Sequence, residues 1–216
     1  GRHGRHGRHD VIIVTKSFIN FKKVLQVGAF FLHNIKMKIE NHILEEVKIL
    51  LSPNYDLRPD KSNISLIVLH SISLPPTIFG NNYVEDFFCN KLNPGNDDYL
   101  NTIKGMKVSS HLFVKRTGEI IQFVPFDKRA WHAGKSSYDN VENCNDYSIG
   151  IELEGCDDIS FEDIQYEKLT YIIKAILDNY KKTSKERIVS HSDIAPGRKS
   201  DPGPLFDWKR LKRMLE

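Results

Sequence analysis

The chain has 216 residues, 40% hydrophobic and 27% charged, with three cysteines and a formal net charge of +3. That length suits one ordinary domain, or one domain and a tail, and with no 18-residue apolar run the sequence offers no membrane-spanning helix. The positive charge is unevenly spread: residues 1–36 carry seven Lys/Arg and one acid, which leaves 24 basic and 27 acidic residues in 37–216, so the body of the chain is not built for a nucleic-acid partner.

The first nine residues repeat Gly-Arg-His three times. This low-complexity stretch reads as extraneous to the folded domain; the alternative is a His-rich metal-binding arm. Residues 24–32 form a short apolar run after Lys22-Lys23, the shape of a secretory leader, but no small-residue cleavage site follows. The expected division is a tail over 1–36 and one mixed domain over 37–216, with Met37 as the natural start. Cys89, Cys144 and Cys156 are odd in number and form no CxxC, which suggests reduced thiols in a cytoplasmic protein.

Within the domain, residues 40–51 put Ile43, Leu44, Val47 and Leu51 at helical spacing, predicting a helix that Ser52-Pro53 ends. Residues 64–70 are β-branched and apolar enough for a buried central strand. His70 at its end is either a satisfied core histidine or a ligand facing a cleft. Val84, Phe87, Phe88 and Leu92 mark a short amphipathic helix, and 93–98 reads as loop. Residues 108–115 and 119–125 alternate about Thr117-Gly118, a β-hairpin pattern.

A polar loop over 127–138 carries Trp131 and His132; a tryptophan there is a packing plug or a binding platform. The strand at 148–154 sets Ile149, Ile151 and Leu153 on one face and Ser148, Gly150, Glu152 and Glu154 on the other. The clearest helix covers 161–182, with Ile164, Leu169, Ile172, Ile173, Ile176, Leu177 and Tyr180 as its stripe and Ser160 as the expected N-cap. A strand over 187–191 follows. Residues 191–204 are rich in proline and glycine and predict a stiff loop. It carries His191, Lys199 and Asp201, which suit a metal site with an electrostatic helper or a salt-bridged loop. A basic amphipathic helix over 206–215 closes the chain.

Five stretches taken in order look familiar: Leu69-His70 with Ser73-Leu-Pro-Pro76, residues 108–111, residues 122–134, residues 144–155 and the 191–204 loop. Together they resemble the zinc-dependent N-acetylmuramoyl-L-alanine amidases of type 2, a superfamily shared with phage amidases and peptidoglycan recognition proteins. Within it they are most similar to the branch that acts on 1,6-anhydro-muropeptides in cell-wall recycling. The resemblance covers nearly all of 37–216.

It implies an α/β (mixed) fold, a central mixed β-sheet flanked by helices, with Zn2+ held by His70, His191 and Asp201. It also implies Glu152 and Lys199 as catalytic residues. The chemistry agrees: two imidazoles and one carboxylate leave a fourth position open, as in hydrolytic zinc sites. A carboxylate can carry the water's proton to the leaving amine, and an ammonium can stabilise an oxyanion.

Substrate contacts carry over as Trp131 and His132 along the sugar, Arg198 toward a stem-peptide carboxylate, and Lys107 and Ser71 beside the cleft. Three positions depart from the family pattern. Lys107 and Asn143 stand where arginine is usual and Ser71 where asparagine is usual. His111 reads as structural rather than as a ligand.

The implied function is hydrolysis of the amide between anhydro-N-acetylmuramic acid and L-alanine by a cytoplasmic monomer with a muropeptide substrate and neither nucleic-acid nor membrane partners. Two alternatives remain: an exported amidase on intact peptidoglycan, and a non-catalytic muropeptide receptor. The filled ligand positions argue against the second.

Overall fold

Two seven-residue strands set the architecture: 66–72, apolar over its first four residues as a strand buried on both faces tends to be, and 148–154, which alternates Ile149, Ile151 and Leu153 with polar residues. The computed structural model describes residues 36–216; the expectations for the Gly-Arg-His repeats and for 24–32 lie outside the described residues. In chain order come β1 (Ile39–Glu40), β2 (Ile43–Leu44), β3 (Lys48–Ile49), β4 (Tyr55–Leu57) and the long β5 (Leu66–Ile72). Helices α1 (Tyr83–Phe88) and α2 (Asp98–Ile103) precede the hairpin of β6 (Leu112–Val114) and β7 (Ile120–Gln122). Three short strands follow: β8 (Lys128–Ala130), β9 (Ser137–Tyr138) and β10 (Val141–Glu142). Then come β11 (Ser148–Glu154), α3 (Asp163–Asn179), β12 (Ile188–Ser190), α4 (His191–Ile194) and α5 (Trp208–Met214).

Six strands form a mixed sheet in the order β12-β5-β11-β6-β7-β3. The first four run parallel, and β7 returns antiparallel to β6. One face of β5 and β11 (Ile67, Leu69, Ile149, Ile151 and Leu153) packs on Leu169, Ile172, Ile173 and Ile176 of α3. The other face meets Tyr147, Val189 and Ile194 near β12, and α1 and α2 cover Phe113, Ile121 and Phe123 further along. The alternation read in 148–154 holds, yet its polar face is not solvated: every residue of β11 is buried. A polar strand face buried in this way is the first structural sign of a site.

Three expectations need correcting. Residues 40–51 are not a helix. Asn41 and His42 both have positive φ, 49° and 64°, the signature of a tight hairpin turn, and join β1 to β2. Leu44 then donates its N–H to Gln122 Oε1 at 2.8 Å, while Leu50 and Ser52 donate to the carbonyls of Gln122 and Phe123. Pairing with the sheet edge thus overrides the local periodicity. Residues 93–97 form the expected loop, and α2, not expected from the sequence, follows with Asp97 as its N-cap accepting from Leu100 N–H at 2.8 Å. Helix α3 is capped by Glu162, not Ser160, with Gln165 Oε1 accepting from Glu162 N–H. The Ser160 carbonyl is already bound by Arg116 at 2.8 Å, holding that stretch outside the helix. Finally, 191–204 opens with a helical turn: Ser190 Oγ accepts from Asp193 N–H while Asp193 Oδ2 accepts from Ser190 N–H. This reciprocal cap closes α4 before Pro196 and Gly197 intervene.

Candidate metal centre and catalytic cleft

Parallel pairing brings the ends of β5 and β11 together, with His70 directly opposite Glu152. The next strand of the sheet, β12, ends at Ser190, so the cap of α4 delivers His191 beside His70. The loop after α4 returns Asp201 to the same place, its carbonyl accepting from Ser192 N–H at 3.1 Å.

The result is a tight triangle. His70 Nδ1 lies 3.0 Å from His191 Nδ1 and 3.0 Å from Asp201 Oδ2, and His191 Nδ1 lies 3.1 Å from Asp201 Oδ2. These three side chains form the metal-competent cluster found among the described residues. The far nitrogens are engaged elsewhere: His191 Nε2 donates to the Ala133 carbonyl at 3.0 Å, and His70 Nε2 meets His132 Nδ1 at 2.8 Å. With protons on both Nε2 atoms, two bare imidazole nitrogens and a carboxylate face one another at contact distance.

Such a set suits a cation. A tetrahedral ion with bonds of about 2.0–2.1 Å spaces its donors roughly 3.3 Å apart, close to the triangle observed. Burial lowers the pKa of His70, which keeps its ring neutral and able to donate a lone pair.

Glu152 is the fourth member. One carboxylate oxygen lies 3.8 Å from His70 Nδ1, and the other, Oε2, is buried without a hydrogen-bond partner. Burial pushes its pKa well above the usual value, the Asp201 charge adds to this, and Lys199 pulls the other way. An orphaned carboxylate oxygen next to three converging metal donors is expensive unless a ligand completes it. It is placed to hold and release a proton.

His191, Asp201, Glu152 and Lys199 line a cleft of about 310 Å3, and His70 is buried against two of them, His191 and Asp201. One wall is apolar, from Phe87 and Phe88 of α1 through Tyr99 and Ile103 of α2 to Met106. Trp131 also lines the cleft, and its indole Nε1 donates to Asp56 Oδ1 at 3.1 Å, so the ring is a fixed, partly exposed platform. Such a cleft can hold an amphipathic substrate with a flat ring and can hydrolyse an amide at its floor.

The model of the N-acetylmuramoyl-L-alanine amidase family matches residues 60–204. The 1,6-anhydro-N-acetylmuramyl-L-alanine amidase AmpD of Citrobacter freundii is 45% identical over 179 residues, 83% of this chain and 95% of its own. This chain belongs to the N-acetylmuramoyl-L-alanine amidase family. Among solved structures, a selenomethionine derivative of AmpD superimposes with a TM-score of 0.81 at 45% identity, covering 83% of this chain and all of the other. AmiD of Escherichia coli, solved with the substrate anhydro-N-acetylmuramic acid-L-Ala-D-γ-Glu-L-Lys, gives 0.52 at 30% identity, covering 82% and 65%.

In this amidase the residues singled out from sequence fall into two groups. His191, Asp201, Glu152, Lys199, Ser71, Trp131 and His132 line the cleft, and His70 is buried against His191 and Asp201. Arg198 and Lys107 do not line it. Arg198 binds the carbonyls of Ala133 and Lys135 at 2.6 and 2.8 Å and borders a separate depression with Asn143. Lys107 lines a smaller pocket beyond Met106.

Other contributors escape sequence reasoning. Tyr99 of α2 and Met106 just beyond it are large hydrophobics left 41% and 53% exposed; the Asp97 cap is the sequence signal available for α2. Asn145 accepts through Oδ1 from both His132 and Ala133 N–H, a role that no local pattern announces. His111 sits at 0% exposure, its Nδ1 accepting from Gly150 N–H and its Nε2 meeting the Lys128 carbonyl. It ties β6, β8 and β11 together, in keeping with the structural reading of His111 from the sequence.

Proposed function

We propose that this amidase hydrolyses the amide between the lactyl group of 1,6-anhydro-N-acetylmuramic acid and L-alanine in recycled muropeptides. His70, His191 and Asp201 hold Zn2+ in this reading, and 37–216 carry the activity. The triangle of 3.0–3.1 Å between two imidazole nitrogens and a carboxylate oxygen carries the proposal.

Zinc there supplies a Lewis acid that polarises the scissile carbonyl and makes water more acidic. Glu152 takes a proton from the attacking water and passes it to the leaving nitrogen, the task for which its buried, unpaired Oε2 is suited. Lys199 reaches into the cleft from the loop after α4 and offsets charge growing on the carbonyl oxygen. Trp131 offers a face to the sugar, and the apolar wall from Phe87 to Met106 limits water in the cleft.

Free thiols at Cys89, Cys144 and Cys156 fit action in a reducing cytoplasm, as a monomer on soluble muropeptide. The test is mass spectrometry of products from soluble anhydro-muropeptide and from intact sacculi, each with and without a zinc chelator. Chelator-sensitive release of stem peptide from the soluble substrate alone is the expected outcome. Comparable release from sacculi would transfer the activity to the wall itself, and zinc uptake without release from either would make the protein a receptor.

A further inference from the structure

His132 sits where a sugar contact is expected, but its surroundings give it other work. Its ring is packed against the sheet: a Cβ added at Gly150 would stand 2.4–2.6 Å from three of its atoms. A side chain at position 150 would therefore expel it. Its backbone is pinned from behind, because Asn145 Oδ1 accepts from both His132 and Ala133 N–H at 3.1 and 2.8 Å. Only 9% of the residue remains exposed.

Both ring nitrogens are also occupied. Nδ1 lies 2.8 Å from His70 Nε2, and Nε2 lies 3.0 Å from Ser148 Oγ. The His70 and His132 rings meet edge to face at 87° with centroids 5.0 Å apart. This leaves no free polar atom for a sugar hydroxyl. It does leave a hydrogen-bonded line, Ser148–His132–His70, that ends on the back of a proposed metal ligand.

We infer that His132 is a positioning residue for the metal centre: it accepts a hydrogen bond from His70 Nε2, which fixes the ring's tautomer and turns the Nδ1 lone pair on the cation. Ser148 holds the far nitrogen of His132, and Gly150 supplies the space the ring needs. Partners of this kind set ligand orientation and basicity, and their loss commonly weakens metal binding 10–100-fold.

This inference rests on the zinc reading above, so the test measures metal binding in the full chain rather than turnover alone. Zinc affinity is determined by competition with a chromophoric chelator for the parent and for His132→Leu, His132→Asn and Ser148→Ala, alongside the melting temperature of each metal-free protein. Leucine fills the volume but accepts no hydrogen bond, whereas asparagine keeps an acceptor near the position of Nδ1.

The expected result is a 10–100-fold weaker zinc affinity for His132→Leu, recovered in large part by His132→Asn, with KM for muropeptide unchanged at saturating zinc. Should His132→Leu fail to fold, Ser148→Ala decides: weaker zinc binding supports the inference and parental affinity overturns it. Parental affinity in His132→Leu, or an equal loss in His132→Asn, also overturns it, as does a raised KM with zinc binding intact, which would restore His132 to the sugar site. A parent that takes up no zinc would instead refute the zinc reading itself.

Discussion

At the scale of single residues, Glu152 is the most informative side chain. Replacing it with glutamine keeps the shape and removes the proton carrier. Glu152→Gln should retain zinc and lose turnover by roughly 10²–10⁴-fold, measured as kcat on soluble muropeptide with metal content determined in parallel. The same substitution should raise the melting temperature of the metal-free protein at neutral pH. Burial, the Asp201 charge and the opposing Lys199 together leave the folded pKa well above 4.5. Between the two values the native state keeps a proton that the unfolded chain has lost, so stability is fully present below the unfolded pKa and declines as pH rises through the folded one. Glutamine has no proton to lose, and its pH profile should be flatter over that interval. The residues proposed to carry the chemistry were legible through the resemblance of five ordered stretches to the amidases, because position alone left His70 a core histidine or a ligand and Glu152 a solvated strand residue. Asn145, Ser148 and the part played by His132 were not, since they acquire meaning only when three separate segments converge.

At the scale of elements, Arg58 shows how the floor beneath the cleft is tied. It is 6% exposed, and its guanidinium donates to the carbonyls of Phe126, Asn145, Asp146 and Ser148, with His111 Nε2 3.2 Å away. One side chain thus fastens the segment after β4 to the hairpin exit, to the turn before β11 and to β11 itself. Arg58→Met should cost about 3–5 kcal/mol, because it strands several buried carbonyls; urea unfolding of the two metal-free proteins would measure it, and a loss below 1 kcal/mol would show that water replaces the guanidinium. The long elements were readable from periodicity: β5, the β6–β7 hairpin, β11, α3 and α5 all lie where expected, within a few residues. The failures are short. Residues 40–51 satisfy helical spacing and hairpin pairing alike, and only the Gln122 side chain and the open edge of β7 decide between them. Helix α4 is one capped turn, too brief for a hydrophobic period.

At the scale of the whole molecule, metal and proton binding are linked to folding. If zinc binds only the folded form, a hundredfold excess over its Kd adds about 2.7 kcal/mol, roughly 5–11 °C for a chain of this size. Differential scanning calorimetry with and without chelator should show that rise, and it should vanish in Asp201→Ala. Acid should act in the opposite sense. Burial, reinforced by Arg58, depresses the His111 pKa to about 3, so the native ring stays neutral where the unfolded one takes a proton. The stability this confers is whole above pH 6.5 and drains away as pH falls toward 3, on the order of 5 kcal/mol at the limit. His111→Gln should start less stable but lose less between pH 7 and pH 4 in urea titrations. The chain beginning at Met37 should match the full chain in kcat, as expected if residues 1–36 add nothing to the reaction.

His70 and Glu152 face each other across a parallel ladder, and their separation is therefore inherited from the spacing of neighbouring strands, about 4.8 Å. Tyr99, Met106, Trp131, Lys199 and Asp201, by contrast, ride on short helices and connecting segments. Under selection for a bulkier sugar or a different peptide, adaptive changes should gather in 98–108 and around Trp131, while β5, β11 and the segment carrying His191, Lys199 and Asp201 stay still. Substrate preference can then wander across a lineage with the bond-breaking step left untouched.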